Sequence, residues 1–302
     1  MNCSTRWVGS IVAIGLASVL LVPITHGQAK IRRNKAIARL ERGKVACGGF
    51  STGYNEEAEI KRTDPDLDFI FYDMEHRPYD IPAMRLYGQF LHSPEHPVLR
   101  IALLPRIPAY GREMNQWQVK QVLDSGGWGV IVPHLETAEQ ALNLVRAARY
   151  PQPYGVKDFQ PEGQRGKGVI AKSSWGVSQE EYERIADSWP LDPDGELLVT
   201  GLIENQLGAA NARDIARVPG ISGIAAVAFS GDEGLSYRYN ETEIEKHNQT
   251  ILAANKEFNK IPMCFACTKH GTVAEAEARI KEGWRMLAVG GCAEARRNLG
   301  ME

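Results

Sequence analysis

Between Leu67 and Pro78 the chain reads LDFIFYDMEHRP. A short apolar run, Phe69 to Tyr72, ends in Asp73, Glu75, His76 and Arg77. Charged groups set beside a buried strand pair with one another, bind a metal or do chemistry; an exposed charged loop is the plain alternative. Later apolar runs end in the same way, at Arg100, at Glu204, and at Asp232 or Glu233. Carboxylates joined by a histidine and an arginine suit an oxygen-ligated divalent cation holding an anionic substrate. Mg²⁺ or Mn²⁺ fits that donor set, because hard cations take carboxylate and water ligands. No thiolate belongs to the cluster, which argues against structural zinc. The competing reading is a set of structural ion pairs.

The elements that must bring these residues together follow in order. Ile31 to Arg42 has helical apolar spacing and stops at Gly43. Strands are expected at Lys44 to Phe50, Leu67 to Asp73, Pro97 to Ile101, Gly126 to Val132, Leu197 to Ile203, Ile221 to Phe229, Ile261 to Ala266 and Met286 to Val289. Helices are expected at Ile81 to Leu91, Trp117 to Leu123, Thr137 to Arg149, Ala209 to Val218, Glu243 to Phe258, Val273 to Lys281 and from Ala293 onward. The helix from Thr137 is the clearest, with a capping threonine and an apolar stripe at Ala138, Ala141, Leu142, Val145 and Ala148. Tyr150 to Asp194 is long, irregular and rich in Pro, Gly and Ser, the mark of a functional loop or an excursion. Several strands are continuous apolar runs, as in a parallel sheet covered on both faces. Eight such β/α units imply a (β/α)8 TIM barrel, with the site at the carboxyl ends of the strands. A doubly wound open sheet is the alternative, but no Gly-rich dinucleotide turn follows the first strand.

The 302 residues carry a formal net charge of -2, which leaves no basic footprint for nucleic acid. At the amino terminus, Arg6 precedes a nearly continuous apolar or small run, Val8 to Ile24, and small residues follow around Gly27 and Ala29. This composition predicts a cleaved signal peptide over residues 1–28 and one mature barrel domain over 29–302, secreted or periplasmic, without stable membrane insertion. A membrane anchor is the alternative, because the run approaches a spanning length. Cys264 and Cys267 have CxxC spacing but no second ligand pair for zinc. They, with Cys47 and Cys292, read as small buried hydrophobes, although export would permit disulfides.

Asp73-Met74-Glu75-His76-Arg77-Pro78 resembles the D-x-E-H-x-P signature of the HpcH/HpaI aldolase/citrate lyase family, the metal-dependent 4-hydroxy-2-oxo-heptanedioate and 2-dehydro-3-deoxyglucarate aldolases. The likeness extends over most of the mature chain. Asn34 to Gly43 is similar to the family's opening helix, His96-Pro97-Val98-Leu99-Arg100 to its arginine strand, and Gly129 to His134 with Glu136-Thr137-Ala138 to its GIIVPHVETA stretch. Gln164-Arg165-Gly166 matches its RG dipeptide, Leu202-Ile203-Glu204 its metal glutamate, and Val218 to Ile221 the approach to strand six.

The resemblance implies a divalent-metal-dependent carbon–carbon lyase acting on a 2-keto acid and an aldehyde, as a homo-oligomer. Glu204 and Asp232 would hold Mg²⁺ or Mn²⁺, with Co²⁺ also possible. Arg100 would neutralise charge on the enolate oxygen, His76 oriented by Asp73 would move a proton, and backbone N–H groups at Ser230 and Gly231 would receive the carboxylate. The chain also departs from the pattern. Where the family shows Gly-Pro-x-Asp-Leu-Ser, it reads Phe229-Ser230-Gly231-Asp232-Glu233-Gly234-Leu235-Ser236, so Glu233 is a second ligand candidate, and Leu202 stands where the family often has glutamine. Two other readings are a citrate-lyase-like thioester lyase, disfavoured outside the cytoplasm, and a non-catalytic exported keto-acid-binding barrel.

Overall fold

The structure is a computed structural model that describes residues 32–62, 64–91, 99–108, 111–168, 170–227 and 240–302. The expected signal peptide lies outside the described residues, as do Ser230, Gly231, Asp232 and Glu233.

Eight parallel strands close into a barrel in sequence order: β1 Ala46–Phe50, β2 Phe69–Asp73, β3 Ala102–Arg106, β4 Gly129–Val132, β5 Leu198–Ile203, β6 Gly223–Ala226, β7 Met263–Phe265 and β8 Met286–Ala288. Nearly every residue of β2 to β8 is buried, because the interior and the surrounding helices cover both faces. β4 and β5 approach closely where Gly129 stands. A Cβ there would lie 2.1 Å from the Leu198 carbonyl oxygen, so the pairing admits only glycine.

Helices Lys35–Glu41, Ile81–Phe90, Ala138–Ala148, Glu241–Glu257 and Val273–Glu282 start at the side chains of Asn34, Asp80, Thr137, Asn240 and Thr272. Each of these accepts a hydrogen bond from a first-turn N–H. Thr137, Asn240 and Thr272 form full capping boxes. The helix Asn55–Lys61 is an addition to the expected elements; its sequence, NEEAEIK, buries only Ala58 and so shows no apolar stripe.

The third strand is the main correction. Expected at Pro97 to Ile101, it runs instead through Ala102–Arg106 and includes Pro105. Proline cannot donate to a ladder and ordinarily argues against a central strand. Here Ala102 donates to the Asp68 carbonyl and the Arg106 carbonyl accepts from Met74, so these alternate positions face β2. Leu103 and Ile107 bond the β4 side, and Pro105 shares their phase. The β2–β3 register accordingly has Asp73 opposite Arg106 and four further pairs before it, whereas β3–β4 has the single pair Arg106 and Ile131.

The excursion after Ala148 packs under the amino-terminal ends of β4 and β5. Trp175 stacks on Trp128 with ring centroids 3.9 Å apart and planes 2° from parallel, and Ser188 bridges Leu197. The fully buried Arg149 donates to Asp187 at 2.6 and 2.8 Å and to Asp158 at 3.1 Å, which ties the segment back on itself. Two short helices, Ala171–Trp175 and Gln179–Ile185, stand within it.

The four cysteines are not free hydrophobes. Cys47 is bonded to Cys292, 245 residues away, and Cys264 to Cys267. The first bridge joins β1 to the final helix, Cys292–Asn298, with Cα atoms 5.8 Å apart. That separation is ordinary for a disulfide, but such a pairing across the whole chain leaves no local spacing signal.

Candidate active site

At the carboxyl ends of β2 to β5, four strands each deliver polar groups to one cluster, from which His76, Arg106 and Glu204 face a cavity. Asp73 ends β2, and its Oδ1 accepts from Arg106 Nε at 2.9 Å and from the backbone N–H groups of Glu75 at 3.0 Å and His76 at 3.4 Å. Burial pushes the Asp73 carboxyl up, but the Arg106 hydrogen bond and charge, with the two N–H groups, outweigh it and hold the group below its ordinary value.

Arg106 ends β3. Its Nη2 lies 2.8 Å from Asp73 Oδ1 and its Nη1 2.7 Å from Glu75 Oε2, so the guanidinium forks between two carboxylates. Burial opposes its charge, yet Asp73, Glu75 and Glu204 together raise its pKa.

His134 follows β4. It is fully buried and holds φ at 50°, an uncommon backbone for a non-glycine residue. Its backbone N–H donates to Glu204 Oε2 at 2.7 Å, its Nδ1 stands 3.6 Å from that oxygen, and its Nε2 lies 3.8 Å from Glu75 Oε1. Glu204, following β5, is 2% exposed. The polar groups therefore run in sequence around the mouth: Asp73, Arg106, Glu75, His134, Glu204.

A cavity here is lined by the polar residues His76, Arg106 and Glu204 and by the apolar residues Phe50, Phe71, Leu202, Val227, Phe265 and Ala266. Leu202, where the resemblance leads one to expect glutamine, places an isobutyl group in the pocket wall.

Of the residues named from sequence, Asp73, His76 and Glu204 come together here. Arg100 does not. Its backbone N–H donates to Arg33 and its carbonyl accepts from Lys35, which fixes it before β3 at the opposite end of the barrel. The arginine of the site is Arg106, hidden from sequence reasoning by the proline before it. The pairing of Asp73 with the His76 imidazole is also revised. Asp73 meets His76 through the backbone, and the carboxylate beside the imidazole is Glu75, with 3.6 Å between His76 Nε2 and Glu75 Oε2. Sequence reasoning assigns His134 no role, although its position after an apolar run is the same signal that exposes Glu204.

Among the described residues this site holds one expected metal ligand, Glu204, and a carboxylate is the donor type a hard divalent cation takes. Glu204 supplies a buried carboxylate facing the cavity, and the four cysteines of the described residues are consumed in disulfides, leaving no thiolate for a softer metal.

The family model described as HpcH/HpaI aldolase/citrate lyase matches residues 47–291, all of the barrel but the first residue of β1. The chain belongs to the HpcH/HpaI aldolase/citrate lyase family. A hydroxypyruvate/pyruvate aldolase of Delftia acidovorans is 31% identical over 84% of each chain. Among solved structures, an HpcH/HpaI aldolase/citrate lyase family protein from Burkholderia cenocepacia superposes with a TM-score of 0.67 at 23% identity, over 88% of this chain and 96% of that one. The citrate lyase beta subunit of M. tuberculosis, complexed with oxaloacetate and magnesium, shares the fold with a TM-score of 0.52 at 16% identity, over 85% of this chain and 98% of that one. HpcH/HpaI membership accounts for the barrel.

Proposed function

We propose that the protein is a divalent-metal-dependent aldolase that cleaves or forms the carbon–carbon bond of a 2-keto acid adduct, releasing or consuming pyruvate and an aldehyde. The observation that carries this reading is Arg106, held between Asp73 and Glu75 while facing the cavity that Glu204 shares. Glu204, joined by Asp232 from the segment after β6, would hold Mg²⁺ or Mn²⁺, or Co²⁺ in their place. When bound, the ion supplies Lewis-acid stabilisation of charge on the keto oxygen.

The chain's own groups do the rest. Arg106 is locked by two carboxylates, so its charge is already in place when negative charge develops on the keto acid, and no reorganisation is needed. His76, half-exposed at the mouth, reaches the solvent side of the cavity and is the group placed to move a proton to or from the aldehyde oxygen. Backbone N–H groups at Ser230 and Gly231 would receive the carboxylate.

Export and self-association belong to the same proposal. The leader-like composition of residues 1–28 and two disulfides, which persist in oxidising compartments, support a secreted or periplasmic enzyme. The family resemblance supports a homo-oligomer.

The test is a coupled assay of pyruvate release by the mature protein from 4-hydroxy-2-keto acids, with Mg²⁺, Mn²⁺ or Co²⁺. Metal-dependent turnover is expected. Keto-acid binding without turnover for any aldehyde partner would replace the aldolase with a binding protein.

A further inference from the structure

The turn that closes β7 is fastened at three points. Phe265 is fully buried, with its ring 5.7 Å from Phe71 at 90° and 5.7 Å from Phe69 at 44°. Ala266 follows with φ at 56°, in the left-handed region that a Cβ disfavours. On either side Cys264 and Cys267, both fully buried, are bonded to each other. The Cys267 carbonyl accepts from Arg279 Nη2 at 3.1 Å.

The two residues inside this small covalent ring, Phe265 and Ala266, are the ones that line the cavity. A disulfide gains stabilisation from the length of chain it closes, so a bridge between positions three apart contributes little that way. What it does instead is fix a local conformation that alanine would not choose by itself.

We propose that the Cys264–Cys267 disulfide determines substrate specificity by holding Phe265 and Ala266 as a rigid wall against the carbon chain of the acceptor aldehyde. The inference rests on the aldolase reading, in which Arg106 and Glu204 attend to the keto acid. The face made by Phe50, Phe71 and Phe265 is then left for the acceptor's apolar part. A fixed wall favours compact aldehydes over long ones, because a mobile wall would accept both.

The experiment compares the wild type with the double variant Cys264→Ala, Cys267→Ala, in which the Cys47–Cys292 bridge is kept. Both are assayed with pyruvate and linear aldehydes from acetaldehyde to hexanal, and a crystal structure of the double variant is determined. The expected result is a roughly ten-fold loss of kcat/KM for the compact aldehydes with little loss for the long ones, and an Ala266 that has left the left-handed region. Adding Ala266→Gly should not recover the loss, since glycine takes either backbone freely and leaves the wall mobile. If the double variant does not fold, Ala266→Val in the bridged protein narrows the cavity at the same fixed position and should sharpen the preference for compact aldehydes. An unchanged aldehyde profile, or Ala266 still left-handed without the bridge, overturns the proposal. A wild type that turns over no aldehyde overturns the aldolase reading and the acceptor role with it, and the backbone of the double variant then decides separately whether the bridge holds the wall.

Discussion

Asp73 and Arg106 occupy opposite positions in the β2–β3 register, and Arg106 Nε donates to Asp73 Oδ1 at 2.9 Å. Two strand ends thus align a cation with its partner through backbone pairing alone, and Glu75 closes the fork from the other side. The guanidinium has little freedom left to lose when substrate arrives.

That geometry ranks two arginines. Arg106→Lys keeps the charge but cannot fork between Asp73 and Glu75, so kcat/KM should fall by about 100-fold or more with the far-ultraviolet circular dichroism spectrum retained. Arg100→Lys, at the other end of the barrel, should stay within about two-fold of wild type. The opposite ranking would return the site arginine to position 100.

Asp73 also sets an acid limit. Its folded pKa lies below the unfolded value near 4, so the folded state binds its proton less readily than the unfolded chain does. Its stabilising contribution is therefore complete above about pH 4 and is lost as pH falls through the depressed folded value. In thermal melts with EDTA present, wild type should lose stability below pH 4 more steeply than Asp73→Asn. Parallel acid limbs for the two proteins would show that Asp73 carries no such linkage.

Metal affinity should follow the carboxylates. Glu204→Gln is expected to weaken Mn²⁺ binding about ten-fold or more, the low end of what disturbing a metal site costs. Asp232→Asn should match it and Glu233→Gln should be milder, because Asp232 lies nearer the strand and follows Gly231. Mn²⁺ titration of the three variants reads the order directly, and a larger loss in Glu233→Gln would exchange the two acids.

The long-range bridge should dominate thermal stability. On the chain-entropy account, closing a loop of the 245-residue span between Cys47 and Cys292 contributes roughly 5 kcal/mol. The double variant Cys47→Ala, Cys292→Ala should therefore melt about 10 °C or more below wild type by scanning calorimetry. A shift of only a degree or two would mean that the barrel's ends are held by packing alone.

Much of the barrel is legible in the amino-acid sequence. Continuous apolar runs imply the parallel strands, and Glu204 is visible because Leu202-Ile203 breaks at a carboxylate. Arg106 is not, because Pro105 resembles a strand end unless one knows that its missing N–H faces the thinly bonded β4 side. His134 hides behind Pro133 for a related reason: a proline followed by a polar residue resembles a turn. Only its distance to Glu75 and Glu204, contributed by other strands, makes it part of a site. Disulfides pose the same difficulty at greater range, since Cys47 and Cys292 become neighbours only when β1 meets the last helix.

Where β1 meets that helix, the chain becomes a ring. Everything from residue 47 to residue 292 lies on one closed covalent loop, and the segment after Ala148 exposes side chains such as Tyr154, 90% accessible, to any protease in the surroundings. A single cut there leaves Cys47 on one fragment and Cys292 on the other, still bonded. The nicked enzyme would migrate as one species without reductant and as two with it, and its barrel halves could not diffuse apart. A chain in this form survives one break in its backbone with its two pieces still joined.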